Sequence, residues 1–450
     1  MVRATSEIDA SEELSTIDEL YPLMCGQRWL LRLLEVSPEV ARPVQRIYRL
    51  REPLDTVSLL AAFRYVVASN PALRTRLVET PDGWRQWFPE LEAEISGIVV
   101  EGRTRETRAA YAQHIFAKDS AQPLDLRSDP PFLARIIRVD GEHYFSLCLD
   151  HIAADDLATD IFERELDDAY LREKEGKSHP PSSASQYFFH YLARETAQDA
   201  KEASNLEYWR NHLIGHSLDL SKTEERKWVA GETHHWQISG GEFERLKGAC
   251  HSHRSSVFSA VLGAYVRLLS ELGRTEELVV NVPVSNRTQA VDHGLIANLS
   301  MLLHLRFNVA GTAPDPQFLI AVRNQILDGM AHRYYSYSAL SEIMSQNAAA
   351  RGGHVHWLAG CSYIIERELK RTTSPLFEER LDNLPGAKID IPSGGFALTC
   401  RENLFRLHFA ADWDLSCWPS HSHQMETRFL EILAAVVGTT SLDSRQAGLQ

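Results

Sequence analysis

Residues 149–156 read Leu-Asp-His-Ile-Ala-Ala-Asp-Asp, and this octet holds the groups best suited to chemistry. The run from Tyr144 to Leu149 has strand character. Helix-face spacing begins straight after the octet, at Leu157, Ile161, Phe162, Leu166, Ala169 and Tyr170. A histidine at a strand end ahead of a helix can aim its imidazole into a cleft instead of a core. With an unperturbed pKa of about 6.5, it can take and return a proton near neutrality. His151 is therefore the candidate general base. A lone histidine after a strand is also a common packing residue, so the residue type by itself leaves both readings open.

The elements that must position this octet follow from pattern. Both halves alternate strand and helix, which predicts two α/β sandwich domains with a cleft between them. In the first half, Tyr21–Leu34 reads as a helix-led segment and Val44–Leu50 as a strand. Leu54–Ser69 reads as a helix stopped near Asn70-Pro71. Leu73–Val78 and Trp84–Phe88 are short strands around Pro81-Asp82-Gly83, and Arg105–Lys118 is helical. Phe132–Val139 and Tyr144–Leu149 flank Asp140-Gly141, a hairpin signal. Residues 175–185 have linker composition, and one helix over Ser185–His212 follows. The second half adds a strand at Thr233–Ile238 and an apolar helix at Ser255–Leu272 closed by Gly273. Leu278–Val284 is a near-continuous apolar strand, of the kind covered on both faces, and Met301–Val309 is another. A helix over Pro316–His332 has Asp315 placed as its cap. Strand-like Tyr363–Glu366 and Phe405–Asp412 precede a closing helix at Gln424–Val437. These signals divide the chain into a lobe at 18–178, a linker and connecting helix at 179–212, and a lobe at 213–440.

Bulk composition narrows the partners. The 450 residues exceed one ordinary core, and 44% hydrophobic with 24% charged residues is globular. With 47 basic against 61 acidic side chains the formal charge is −14, which disfavours nucleic acid and anionic membranes. Six scattered cysteines without C-x-x-C spacing point to reduced thiols and a cytoplasmic setting. Residues 1–17 read as a polar leader without the apolar stretch of a signal peptide. No run of 18 apolar residues is present, so no membrane span is expected.

Several motifs in order carry a resemblance. Tyr21-Pro-Leu-Met-Cys-Gly-Gln27 resembles the opening motif of nonribosomal peptide synthetase condensation domains, and Asn70-Pro-Ala-Leu-Arg-Thr-Arg76 their second. Pro130-Pro-Phe-Leu-Ala-Arg135 is similar to the strand before their active-site motif H-H-x-x-x-D-G, and Asp150 to Asp156 falls in that motif's place. Tyr208-Trp-Arg-Asn-His-Leu213 resembles the family's Y-W-x-x-x-L segment, and Asn281-Val-Pro-Val-Ser-Asn-Arg287 its P-V-x-x-R segment. The resemblance implies the chloramphenicol-acetyltransferase-like fold: two α/β lobes forming a V-shaped pseudo-dimer around a central tunnel, sufficient as a monomer. It implies acyl transfer from a thioester to a small-molecule amine or hydroxyl. The donor would ride on the phosphopantetheine arm of an acyl or peptidyl carrier protein, or on coenzyme A, with no tightly bound cofactor. It maps the catalytic histidine to His151 and a structural pair to Asp155 and Arg287. With no adenylation or carrier motif visible and Met1 at the start, a free-standing enzyme acting in trans is expected.

The chain departs from the family pattern in places. The first motif histidine is Asp150 and the motif glycine is Asp156. A carboxylate at the glycine position adds bulk and negative charge near an expected oxyanion. The Asp150/Asp155 spacing resembles that of heterocyclisation domains. Asp155-Asp156 resembles the degenerate motif of X domains, which recruit oxygenases. His151, absent from both, favours an active acyltransferase over a silent, recruiting or heterocyclising relative. In Ala297-Asn-Leu-Ser-Met-Leu-Leu-His-Leu-Arg306 the family's usual Asn is Met301 and its usual Pro is His304. The resemblance places that region on the acceptor side, which implies an unusual acceptor.

Other residues carry two readings each. Asp150 is a solvent-facing strand end or a substrate contact. Ser285 and Asn286 line the tunnel or make an ordinary turn. His354-Val-His356-Trp357 lacks a third ligand, so no metal is expected. Trp413 and Trp418 wall a pocket or pack a core, with packing favoured. Tyr334-Tyr335-Ser336-Tyr337 reads as surface and packing, with carrier docking the minor alternative. Cys148, three residues before His151, should point to the other side of its sheet, against a Cys–His nucleophile.

Overall fold

The structure is a computed structural model, and it describes residues 19–36, 43–100, 114–119, 124–139, 141–214, 228–350, 359–366, 374–381, 390–392, 395–414 and 422–444. In chain order its elements begin with β1 (Tyr21–Pro22), α1 (Cys25–Val36), β2 (Val44–Leu50), α2 (Thr56–Ser69), β3 (Arg76–Thr80), β4 (Gly83–Trp87) and β5 (Ser96–Val100). Then come β6 (Phe132–Val139), β7 (Glu142–Leu149), α3 (Asp156–Lys174), α4 (Ala184–Thr196), α5 (Glu202–Leu213), β8 (Trp228–Ser239), α6 (Gly241–Ser252) and α7 (Val257–Gly273). The rest are β9 (Glu277–Ser285), β10 (Ser300–Asn308), α8 (Pro316–Ala331), α9 (Tyr337–Ala350), β11 (Ala359–Ile365), β12 (Phe377–Arg380), β13 (Asp390–Pro392), β14 (Phe396–Glu402), β15 (Arg406–Asp414) and α10 (Ser422–Val437).

The chain divides into two compact units. The first runs up to Gln198 and adds Asn286–Leu299 and Arg371–Pro385 from later in the sequence. Its five-stranded sheet has the order β12-β2-β7-β6-β5, and a three-stranded sheet has the order β1-β4-β3. Gly141, at φ 88°, turns β6 back along β7 as the Asp140-Gly141 signal predicts; Asp140 itself lies outside the described residues. Asp55 caps α2 by accepting from the Val57 and Ser58 N–H groups, both at 3.1 Å. α2 stops at Asn70, whose side chain donates to Val66 O at 2.9 Å. Phe63 on α2 sits at the centre of the core, edge-on to Phe132 at 5.3 Å and Phe162 at 6.0 Å. Burial of that apolar face holds α2 and α3 on the sheet.

The second unit is built on a seven-stranded sheet of order β10-β9-β11-β14-β15-β8-β13. β11 runs parallel to β9 and β14, and the remaining neighbours are antiparallel. Strand alternation sorts its side chains by face. Trp236, Phe409 and Trp413 are buried; Trp236 stacks on Phe409 at 5.0 Å and Trp413 on Phe396 at 5.9 Å. Thr233, His235, Gln237, His408 and Asp412 keep the opposite face polar. Trp413 is therefore core, and Trp418 lies outside the described residues. In β9, residues 278–282 are all buried, the mark of the apolar run read there. Asp315 caps α8, accepting from Gln317 N at 3.0 Å and Phe318 N at 2.9 Å.

Local pattern and structure differ in places. The helix read over Ser185–His212 is two helices joined by a 3-10 turn at Ala197–Lys201. There the Thr196 hydroxyl donates to Leu192 O at 2.9 Å, competing with the backbone ladder. The left-handed residue that ends α7 is Arg274, at φ 49°, and not Gly273. Neither unit follows the boundaries at 178 and 213. Leu295, Ala297 and Leu299 bury their side chains with Phe188, Tyr191 and Leu192 of α4, and β12 pairs with β2, so both later segments belong to the first unit. Of the helix read at Arg105–Lys118, only residues 114–119 are described, and they are helical. The 1–17 leader and the His354–Trp357 tract lie outside the described residues. Among the described residues no single helix is long and apolar enough to cross a membrane. Truncating Phe63 to Ala should remove about 3–5 kcal/mol from the first unit, read as a lower urea midpoint with an unchanged slope.

Candidate functional site

The octet forms a tight connection between β7 and α3. Asp150 N–H donates to Pro131 O at 2.8 Å, and Asp150 O accepts from Ala153 N at 3.0 Å and Ala154 N at 3.2 Å. Asp150 Oδ1 accepts the Ile152 N–H at 2.8 Å, closing an Asx-type turn. Burial raises the Asp150 pKa, opposed by that N–H and by the neighbouring His151. Of the two roles read for Asp150, neither describes it fully, because its carboxylate shapes the turn. His151 is half-buried, while residues 152–155 after it are buried. Its carbonyl accepts from Asn298 Nδ2 at 2.6 Å, and the next carbonyl, Ile152 O, accepts from Gln27 Nε2 at 3.0 Å.

Asp155 closes the loop and opens α3. As the helix cap it accepts from Ala158 N at 2.9 Å. Arg287 grips it with two parallel bonds, Nη1 to Oδ2 at 2.5 Å and Nη2 to Oδ1 at 3.0 Å. Leu299 N adds a further bond to Oδ2 at 3.0 Å, and Arg287 Nη2 also reaches Leu295 O and Ala297 O, both at 3.2 Å. The two side chains are 0% and 6% exposed. A pair buried this deeply stabilises only because every lone pair is engaged, and removing one partner strands a charge in a low dielectric. Both residues lie in the first unit, although the sequence boundaries put Arg287 in the second lobe.

Asp156 stands where the motif glycine is expected. Its carboxylate pairs with the Arg46 guanidinium on β2, the strand beside β7; the side chains are 34% and 11% exposed respectively. The added negative charge therefore has a counter-charge in direct contact. One helical turn on, Asp160 pairs with Arg380 at 3.0 Å, and the Tyr48 hydroxyl donates to Glu163 Oε2 at 3.0 Å. One face of α3 is thus acidic yet answered by the sheet below it.

The remaining expected site residues are placed differently. Asn286 is buried and structural: its Nδ2 donates to the Tyr191 hydroxyl at 2.8 Å and to Glu195 Oε1 at 3.3 Å. Ser285 is exposed at the end of β9, opposite Ser300. Met301 is 5% exposed in the second unit, on the strand face it shares with Leu303 and Leu305, which crowd Gly329 of α8. His304 is wholly buried between Asn281 Oδ1 at 2.8 Å and the Tyr335 hydroxyl at 3.0 Å, and burial lowers its pKa to about 3. The Tyr335 hydroxyl also donates to Leu302 O at 2.7 Å, so this tyrosine packs. Cys148 is 1% exposed, and burial, with Asp119 nearby, raises its thiol to about 12, which leaves no thiolate for nucleophilic work.

Sequence reasoning gave no role to Gln27 or Asn298, the two side chains that hold the carbonyls of Ile152 and His151. Gln27 lies inside the opening motif, so its place in the pattern was visible while its target was not. Arg46 carried no signal, since its partner is 110 residues away.

Residues 17–354 match the condensation domain family. The chain is 23% identical over 325 residues to malpibaldin synthetase of Mortierella alpina, covering 70% of this chain and 6% of that protein's length. Over 245 residues it is 25% identical to phosphinothricin tripeptide synthetase PhsB of Streptomyces viridochromogenes, covering 53% of this chain and 21% of that protein. Among solved structures, a variant of the starter condensation domain of rhizomide synthetase RzmA in complex with C8-CoA superposes with a TM-score of 0.72 at 16% identity, covering 96% of this chain and 98% of that one. The X-domain in complex with OxyB from teicoplanin biosynthesis gives a TM-score of 0.68 at 21% identity, covering 94% of each chain. These likenesses establish a shared two-lobe α/β fold.

Arg287→Ala and Asp155→Ala should each cost about 3–5 kcal/mol in denaturant unfolding, while the double Asp155→Leu/Arg287→Leu variant should recover part of the loss.

Proposed function

Because this chain belongs to the condensation-domain family of nonribosomal peptide synthetases, we propose that it forms an amide, or an ester, from an acyl thioester, with His151 as general base. The donor is held on a carrier protein's phosphopantetheine arm or on coenzyme A, and the acceptor is a small-molecule amine or hydroxyl. One observation carries this reading: half-buried His151 sits on a turn that buried side chains fix at His151 O, at Ile152 O and at Asp155. Preorganisation of that kind serves proton transfer, which needs the base within about 3 Å of the proton it abstracts.

In the proposed step the acceptor nitrogen attacks the thioester carbonyl and His151 takes its proton. The tetrahedral oxyanion draws on N–H groups at the start of α3. Collapse breaks the C–S bond, and the proton passes from His151 to the departing thiolate. The Arg46 guanidinium screens Asp156, so the carboxylate in place of glycine need not repel the oxyanion. The bound C8-CoA in the rhizomide synthetase relative supports a CoA-linked donor as one of the two donor forms.

A second reading is a silent module that docks a carrier protein or a tailoring enzyme. Asp155-Asp156 and the fold shared with an X-domain bound to OxyB favour it. Heterocyclisation through Asp150 and Asp155 draws less support, because Asp155 is committed to Arg287, Ala158 and Leu299 and Asp150 to Ile152.

Purified protein given acyl-carrier and acyl-CoA donors with an amine pool should yield amide by mass spectrometry. His151→Ala should slow that turnover by about 10²–10⁴-fold with little change in KM. Carrier capture without turnover of any donor would favour the silent module. Arg46→Ala should lower kcat by about tenfold at low salt, and adding Asp156→Gly to it should restore the rate, because the uncompensated charge is then gone.

A further inference from the structure

Glu195 of α4 is a buried carboxylate, 6% exposed, with no place in the step above. Its two oxygens face two different arms of the first unit. Oε2 accepts the Cys25 N–H at 3.0 Å, at the start of α1. Oε1 accepts from the Tyr191 hydroxyl at 3.0 Å and from Asn286 Nδ2 at 3.3 Å. Burial raises the Glu195 pKa, opposed by the Cys25 N–H, the Tyr191 hydroxyl, the Arg28 charge and the Asn286 amide.

Each arm ends on the His151 loop. α1 carries Gln27, which accepts the Met24 N–H at 2.8 Å and donates to Gln86 Oε1 at 2.9 Å and to Ile152 O at 3.0 Å. Asn286 directly precedes Arg287, whose two bonds hold Asp155. One carboxylate thus ties together the two tethers that meet the loop at Ile152, just after His151, and at Asp155, four positions beyond it. A buried carboxylate is costly unless its oxygens are engaged, and its engagement here is split between two segments far apart in sequence, at Cys25 and at Asn286.

We propose that Glu195 is a positioning residue for His151, bracing both tethers of its loop from behind. This inference rests on the reading of His151 as the base. Glu195→Gln keeps the volume and one acceptor oxygen while putting a donor where another donor faces it, so it tests the brace without opening a cavity. In the substrate-free full chain, hydrogen–deuterium exchange of peptides covering residues 149–156 should speed up by about tenfold while the core strands β6 and β7 keep their protection. Turnover should fall by about tenfold in kcat with KM unchanged. Glu195→Gln combined with Gln27→Leu should lose less than the product of the two single losses, since the Gln27 tether is common to both. Tyr191→Phe, which removes one hydroxyl and keeps the ring, should give a smaller change of the same kind. Unchanged exchange at 149–156 in both Glu195→Gln and Tyr191→Phe would overturn the proposal. Faster exchange there, alongside full activity in His151→Ala, would leave the brace standing and remove only the assignment of the base.

Discussion

The buried pair of Asp155 and Arg287 is the constraint on which the site depends. Asp155 ends one connection and starts a helix, so its carboxylate must satisfy the first turn of α3 while holding a guanidinium. Arg287 Nη2 in turn also reaches the carbonyls of Leu295 and Ala297. The pair fixes three backbone segments together: the β7–α3 connection, the entry to segment 286–299 and that segment's far end at Leu299. Two charges in a site this dry stabilise only as a complete set, so the geometry is all-or-none. A loop held that way gives an imidazole a defined direction, which a loop held by surface bonds would not.

The same logic accounts for the departures from the family pattern. Asp150 lost the ring of the usual histidine and gained an Asx turn that orders the backbone before His151. Asp156 added a charge, and the neighbouring strand supplies Arg46 to meet it. Neither change disturbs Asp155. Substitutions around the motif are thus absorbed by local partners, while the central pair and His151 stay as they are.

The sequence made some layers legible and hid others. The period-2 and period-3.6 patterns marked most strands and helices, because each element's own face must be buried. Asp315 at its helix start and Gly141 at its hairpin were readable for the same reason: cap and turn chemistry is local. His151, Asp155 and Arg287 were singled out through ordered motifs, and the last two are in contact. What stayed hidden depends on distant neighbours. Asn286 reads as a turn residue until Tyr191 and Glu195 are beside it. That Met301 is buried, on the face it shares with Leu303 and Leu305, shows only once strand alternation is placed against the neighbouring helices. The assignment of 286–299 and 371–385 to the first unit has no local signature at all.

The pairing of β12 with β2 has a consequence for how the chain is made. Emerging from the ribosome, the first unit has all but one strand of its larger sheet by Leu149, yet its outer strand is not synthesised until Phe377. Through that interval the free side of β2 presents unpaired backbone groups, a template for wrong partners. Closing so long a loop is slow compared with forming the hairpin of β6 and β7. Residues 44–50 are therefore the stretch on which a chaperone has most reason to act during translation, and a chain truncated before residue 371 would carry that raw edge permanently.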